Sequence, residues 1–198
     1  MARSALKVDP ARGRTLLEEV AIRSGQKLQS CYQCRRCASG CPVGAESDTP
    51  DRLIRAIVLG DREAALGNLL VWRCVACYTC GTRCPNDIQS SRITAALKQI
   101  SHEEHRAPLL PRVAAFHEAF VNEAGRAGRF NEIVGMGKYE LKVAAAELKR
   151  AGVGAAFAEL KAQAGLGMAM RKKKRMHVKV ESVKGKGEIR ALYRKAGR

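Results

Sequence analysis

Eight cysteines in two identically spaced groups constrain the fold of this chain more than any other feature. They lie at positions 31, 34, 37 and 41, and again at 74, 77, 80 and 84. Each group is followed directly by a proline, Pro42 or Pro85. The spacing C-x₂-C-x₂-C-x₃-C-P therefore occurs twice, with an offset of 43 residues. Two independent copies of such a pattern are not expected by chance, so they predict two equivalent loops.

This spacing suits the chemistry of a cubane [4Fe–4S] cluster. Three thiolates at x₂ intervals can surround three irons, and in two-cluster ferredoxins the fourth cysteine ligates the other cluster. We therefore predict two [4Fe–4S] clusters as cofactors, held close enough for electrons to pass between them, and no catalytic residue. The predicted ligand sets are crossed: Cys31, Cys34, Cys37 and Cys84 for one cluster, and Cys74, Cys77, Cys80 and Cys41 for the other.

Other uses of the cysteines fit the pattern less well. Zinc sites usually take two C-x₂₋₄-C pairs separated by a longer loop, whereas here four cysteines fall within eleven residues, twice. A disulfide framework is disfavoured in a reducing compartment, and a redox dithiol needs two cysteines rather than eight. His102 and His105 flank two glutamates, but no third ligand is apparent, which indicates ordinary surface histidines.

The composition predicts an all-α fold. Ala, Leu, Glu, Lys and Arg dominate, and aromatic residues make up only 5%. We expect an α-helical two-cluster ferredoxin domain at 29–108, an N-terminal helical segment at 1–28, a helical extension at 109–170 and a basic tail at 171–198. The predicted helices cover 14–24, a segment from Pro50 to Gly60, a segment from Asp61 to Leu70, 88–100, a stretch from Val113 to a turn at 125–129, 139–150 and 155–164.

The charge of +17 is concentrated at the C-terminus, where residues 171–198 carry twelve Lys and Arg against Glu181 and Glu188. Three roles for this tail stay open: a solvated tail, a docking arm for an acidic partner protein, and a nucleic-acid contact. The last is least favoured, because Tyr193 is the only aromatic residue there, and no nucleic-acid partner is expected. The alternation at His177–Val183 could add a strand to a partner's sheet.

The start of the chain and its hydropathy predict a cytoplasmic protein without a transmembrane segment. Residues 1–14 lack the apolar region of a secretory signal. No window approaches the ~18 consecutive apolar residues of a membrane helix. Motifs for nucleotide or flavin binding are absent as well, so the chain is expected to conduct electrons rather than to react with a substrate.

Four segments resemble the C-type iron–sulfur component of heterodisulfide reductase and its bacterial relatives. These are CYQCRRCASGCPVG at 31–44, RLIRAIVLGDREAAL at 52–66, WRCVACYTCGTRCPNDI at 72–88 and FHEAFVNEAGRAGRFNE at 116–132. The resemblance spans about 24–140 and implies a hetero-oligomer, in which the two clusters relay electrons between a flavin-containing, A-type component and a disulfide-reducing, B-type component with CCG motifs. Arg35 and Arg36 depart from the residues common in that family, and their charge should raise the potential of a nearby cluster.

Two alternative functions remain open. The chain could be the iron–sulfur subunit of another dehydrogenase, of the succinate, fumarate or glycolate oxidase type. However, no cysteine is left for a [2Fe–2S] domain and no CCG repeat is present. A zinc-stabilised nucleic-acid-binding protein that uses the basic tail is the second alternative.

Overall fold

The computed structural model describes residues 15–45, 47–174 and 183–196, and within these ranges it contains helices and no strand. The prediction of an all-α fold is confirmed. None of the described helices combines the length and the apolarity needed to cross a membrane. Residues 1–14 and, except for Val183, the predicted strand at His177–Val183 lie outside the described residues. The chain divides into two compact units, Met1–Leu110 and Pro111–Arg198.

The first unit contains both cysteine groups and is built from short helices. The longest of them, at its C-terminal end, has 14 residues. Its elements are α1 (Leu16–Ser24), a 3₁₀ turn (Leu28–Ser30), α2 (Arg36–Ser39), α3 (Pro50–Val58), α4 (Arg62–Leu66), α5 (Leu70–Arg73), α6 (Thr79–Arg83) and α7 (Ser90–Glu103).

Local capping explains where several of these helices begin and end. Thr15 and Glu18 form a reciprocal capping box at the start of α1, and Gly25 ends that helix with a φ of +67°. Asp61 accepts a hydrogen bond from the Ala64 backbone N–H and begins α4, as predicted. Either Asp48 or Thr49 could cap α3 by sequence, and Thr49 is the N-cap residue, without a side-chain hydrogen bond. The Asp48 carboxylate instead accepts a hydrogen bond from the Leu69 N–H at 2.9 Å.

The helix predicted to run from Asp61 to Leu70 is in fact two helices, α4 and α5. Gly67 ends α4, and a Cβ atom at this position would lie 2.8 Å from the Glu63 carbonyl oxygen. Asn68 then accepts a hydrogen bond from the Leu70 N–H through its side chain. The apolar spacing continues across this break, and for that reason periodicity alone did not reveal it.

The core of the first unit forms where α1 and α5 pack against α7, and where α3 packs against α1 and α4. The apolar spacing at 88–100 predicts one buried face, and its members Ile88, Ile93, Ala96, Leu97 and Ile100 are all buried. Burial of this apolar surface is the main stabilising contribution to the unit. The largest buried apolar side chains are Val20, Leu28, Leu53, Ile57, Leu70, Val71, Ile88, Ile93, Leu97 and Ile100.

A network of ion pairs joins α1, α4 and the segment that follows α7. Arg62 contacts Glu19 at 2.9 Å and donates from Nε to Glu104 at 2.7 Å. Arg106 in turn contacts Glu104 at 2.8 Å and also binds Glu63. Because Arg62 and Glu104 are largely removed from solvent, this network holds the helix ends together more firmly than isolated surface pairs would.

The second unit contains longer helices: α8 (Pro111–Ala127), α9 (Glu132–Ala151), α10 (Val153–Lys172) and α11 (Lys186–Lys195). Helix α8 continues through Gly125, where a turn was predicted. The Tyr193 ring occupies the space that a side chain would take at Gly125, so glycine allows this contact. Helix α9 begins seven residues earlier than expected, at the cap provided by Asn131. Helix α11 was not predicted, so part of the basic tail is a helix that packs against α8.

Candidate iron–sulfur site

The two cysteine groups form loops with the same backbone conformation. In the first loop, the residues on either side of Cys34, Gln33 and Arg35, have φ values of 58° and 62°. In the second loop, the residues on either side of Cys77, Ala76 and Tyr78, have φ values of 52° and 60°. The sequence repeat is therefore also a conformational repeat with the same offset.

The left-handed conformation at these four positions is unfavourable, since none of them is glycine. It costs roughly 1–2 kcal/mol for each residue and persists only where surrounding structure imposes it. The third cysteine of each group lies in a short helix directly after the loop, Cys37 in α2 and Cys80 in α6. Strained backbone of this kind is concentrated at ligand-binding sites.

All eight cysteines are free thiols, and their exposure follows the repeat. The second cysteine of each group, Cys34 or Cys77, is exposed, and the other six are partly buried. Cys31, Cys41 and Cys84 pack against the hydrophobic core. Each loop therefore has one cysteine at the surface and others anchored to the interior.

One cavity brings together cysteines from both groups. Cys41, the fourth cysteine of the first group, lines it together with Cys74, Cys77 and Cys80 of the second. The remaining lining of the cavity is mostly apolar. The structure thus gathers at one place the four cysteines of the second predicted ligand set.

The first predicted set takes its fourth cysteine, Cys84, from the second group. Cys31 and Cys37 are close enough to interact electrostatically, and α2 packs against α6, which Cys84 follows. Within the described residues, no three Cys, His, Asp or Glu side chains converge as they would around a single metal ion. A cubane takes one thiolate on each iron, so its ligands stand farther apart than four that share one ion.

The two groups meet at equivalent positions just before their fourth cysteines. Gly40 precedes Cys41, and Arg83, at the same offset of 43, precedes Cys84. The Arg83 guanidinium covers Gly40, where a Cβ atom would lie 2.5 Å from its nearest nitrogen. Glycine at position 40 therefore allows this close approach of the two motifs.

Gln33 and Asp51 connect the first loop to α3. The Gln33 Nε2 atom donates to the Cys31 sulfur at 3.3 Å and to the Asp51 backbone oxygen at 3.2 Å. The buried Asp51 carboxylate lies 3.8 Å from the Arg35 side chain. Burial, the Asp51 charge and nearby Cys31 raise the pKa of Cys37 to about 11. In the metal-free chain this thiol is protonated, so ligation of iron would release its proton.

Different residues surround the second loop. A hydrogen bond from the Thr79 side chain lowers the pKa of Cys77, which favours its thiolate. Lys98 on α7 is half-buried; burial lowers its pKa, while nearby Cys74 acts in the opposite direction. Sequence reasoning did not identify Gln33, Asp51, Thr79 or Lys98, because only the tertiary structure shows which polar side chains face a cysteine.

The two histidines near the end of α7 lie at the surface. His102 and His105 are exposed, as expected for surface histidines. Glu103 and Glu104 between them are ion-paired with Arg23 and Arg62. Among the described residues, the groups suited to ligate iron are therefore the eight cysteine thiols. Cysteine thiolates are the usual ligands of [4Fe–4S] clusters.

Comparison with known proteins defines the class of this site. Residues 27–88 match the family described as "4Fe-4S dicluster domain". The chain is thus an iron–sulfur protein with two [4Fe–4S] clusters and a role in electron transfer, which confirms the cofactor prediction.

Curated proteins similar to this chain indicate a more specific kind of iron–sulfur protein. The chain is 31% identical over 103 residues to a C-type iron–sulfur component of the CoB–CoM heterodisulfide reductase of Methanocaldococcus jannaschii, covering 52% of this chain and 54% of that protein. It is 36% identical over 95 residues to a protein of Archaeoglobus profundus that is named as similar to the C-type component of heterodisulfide reductase, covering 46% and 50%. Over its dicluster domain the chain is similar to the C-type component of heterodisulfide reductase, as its motifs predicted. It spans about half the length of these curated relatives.

Proposed function

We propose that this chain relays electrons between a flavin-containing protein and a CCG-type, disulfide-reducing protein of a heterodisulfide reductase-like complex. When bound, the two [4Fe–4S] clusters supply the one-electron redox chemistry of this relay. Cys31, Cys34, Cys37 and Cys84 hold one cluster, and Cys74, Cys77, Cys80 and Cys41 hold the other. The names of its relatives support the complex, and the missing CCG motif fits a subunit that conducts electrons to a reducing partner.

The cavity lined by Cys41, Cys74, Cys77 and Cys80 carries this proposal. A fourth cysteine taken from the other group requires the two motifs to lie side by side. The contact between Gly40 and Arg83 supports the same arrangement, because it brings the chain together just before both fourth cysteines. Two clusters held in this way would be neighbours, as a relay requires.

Serine variants test the crossed ligation. The spectrum of the reduced C34S variant should show how the loss of one ligand changes the first cluster. The spectrum of C77S should show the same for the second cluster. If the sets are crossed, C84S resembles C34S and C41S resembles C77S in electron paramagnetic resonance. The opposite pairing, with C84S resembling C77S, would overturn the crossed assignment while leaving two clusters in place.

The relay itself is tested by anaerobic purification of the untagged complex. We expect a flavoprotein and a protein with CCG motifs to copurify with this chain, and reduction through the flavoprotein to bleach its visible absorption. A chain that carries both clusters but copurifies with a different dehydrogenase would contradict the proposed partners.

A further inference from the structure

The two cysteine loops share a backbone but expose different side chains around their accessible cysteines. Cys34 and Cys77 are the exposed members of their groups. The edge of a cluster beside an exposed ligand is close to the surface, so the path for an electron to a partner is shortest there. The side chains around Cys34 and Cys77 therefore decide which partners can approach.

The surface around Cys34 is basic. The Arg35 side chain is 76% exposed, and its ion pair with Asp51 is long, at 3.8 Å. Arg36, the next residue in the chain, is exposed as well. Tyr32 adds an aromatic ring that is 62% exposed. We call Tyr32, Arg35 and Arg36 the basic patch.

The equivalent loop positions around Cys77 carry no charged side chain. Val75 occupies the place of Tyr32 and is 64% exposed, and Tyr78 occupies the place of Arg35 and is 55% exposed. Thr79 replaces Arg36. Arg73 is exposed but precedes Cys74, outside the loop. The same scaffold thus presents positive charge at one loop and apolar side chains at the other.

We propose that the basic patch docks a redox protein whose surface is rich in carboxylates around its own cofactor, and that electrons pass between the two proteins at Cys34. This inference rests on the proposed relay function and adds the chemistry of one partner. Charge complementarity steers two proteins together and suppresses wrong partners. Arginines also bind carboxylates in a planar, bidentate geometry that fixes orientation.

Small charged oxidants test this surface without the natural partner. The reconstituted full-length chain is reduced with dithionite, desalted and mixed with cobalt(III)–EDTA, an anionic carboxylate complex. Each reduced cluster loses one electron, cobalt(III) becomes cobalt(II), and no proton is transferred. Hexaammineruthenium(III), a cation, serves as the oppositely charged oxidant. Stopped-flow absorbance gives both rate constants as a function of ionic strength.

The R35Q/R36Q variant removes two positive charges from the patch. At low ionic strength we expect its oxidation by cobalt(III)–EDTA to slow roughly fivefold, the Coulomb factor for two charges about 8 Å from a monoanion in water. Oxidation by the cation should not slow. Poly-L-glutamate, as a carboxylate-rich macromolecule, should inhibit the cobalt reaction of the unsubstituted chain and not that of the variant.

The K172Q/K173Q variant is the matched control, since it removes the same charge from exposed positions at the end of α10. We expect this control to keep the rate and the inhibition of the unsubstituted chain. Equal rates in R35Q/R36Q and the control would overturn the basic patch as a docking surface, and so would undiminished inhibition by poly-L-glutamate in R35Q/R36Q. A chain that holds no reducible cluster would instead overturn the relay, and with it this inference.

Discussion

Four residues of the cysteine loops, Gln33, Arg35, Ala76 and Tyr78, adopt the left-handed backbone conformation, although none of them is glycine. Their strain opposes the folding of the metal-free chain. Ligation by four cysteines would add constraints that hold the same loop shape. At the scale of single residues, the loops therefore adopt a conformation that suits the site but lowers the stability of the metal-free chain.

Replacement of Ala76 by glycine should relieve this strain. We expect A76G to stabilise the metal-free chain by about 1 kcal/mol, because glycine adopts a φ of 52° without the steric cost. Urea unfolding followed by the fluorescence of Trp72, the single tryptophan, measures the change. The control A38G lies in α2 and should destabilise the chain by roughly 0.5–1 kcal/mol. Equal losses in both variants would contradict strain at Ala76.

Gln33 gives the first loop a hydrogen bond that the second loop lacks at this position, where Ala76 stands. Hydrogen bonds to cluster sulfurs raise the reduction potential. We expect Q33M to lower the potential of the cluster held by Cys31 and to leave the other potential unchanged. Redox titration monitored by electron paramagnetic resonance resolves the two. A shift confined to the other cluster would refute the role of Gln33.

At the scale of elements, a buried carboxylate joins α8 to α9. Glu123 has no exposed surface and contacts Arg126 at 2.9 Å and Lys138 at 2.8 Å. Burial alone would raise the pKa of Glu123, but the hydrogen bonds from both cations lower it on balance. The Phe120 ring of α8 also stacks on the Phe130 ring, with the two ring centroids 4.6 Å apart.

The stability that Glu123 contributes should depend on pH. Since its folded pKa is lowered, the contribution is present above the ordinary value and is lost as the pH falls through the folded pKa. At pH 7 we expect E123Q to destabilise the second unit by about 1–2 kcal/mol, and at pH 3 by much less.

Amide hydrogen exchange of α8 and α9 measures this effect. The control E118Q removes an exposed pair with Lys142 between the same helices and should cost at most about 0.5 kcal/mol. A penalty for E123Q that stays constant between pH 7 and pH 3 would show that shape rather than charge explains it.

At the scale of the whole molecule, all eight cysteines and the core that supports them belong to the first unit. We expect a fragment of residues 1–110 to assemble both clusters without the second unit. Chemical analysis after anaerobic reconstitution should give about eight iron and eight sulfide per fragment. A fragment that stays colourless while the full chain loads its clusters would show that residues 111–198 contribute to assembly.

Much of the helical architecture could be predicted because its signals are local. Thr15 and Glu18, Asp61 and Gly25 mark helix ends through hydrogen bonds within a few residues of sequence. Helix α11 could not be predicted in this way, because a basic, glycine-punctuated segment gives no local signal. Its position depends on Tyr193, which packs on Gly125 more than sixty residues away.

The sequence alone determined the cofactor class, because it gives the number, type and spacing of the cysteine ligands. Iron–sulfur chemistry restricts which spacings can hold a cluster. Tertiary structure decided which groups surround those ligands. Asp51 near Cys37, Lys98 near Cys74 and Arg83 over Gly40 come together only when distant segments pack. The electrostatic effect of these groups on the cysteines depends on their distance in space and on the exclusion of water. Spacing along the chain specifies neither quantity.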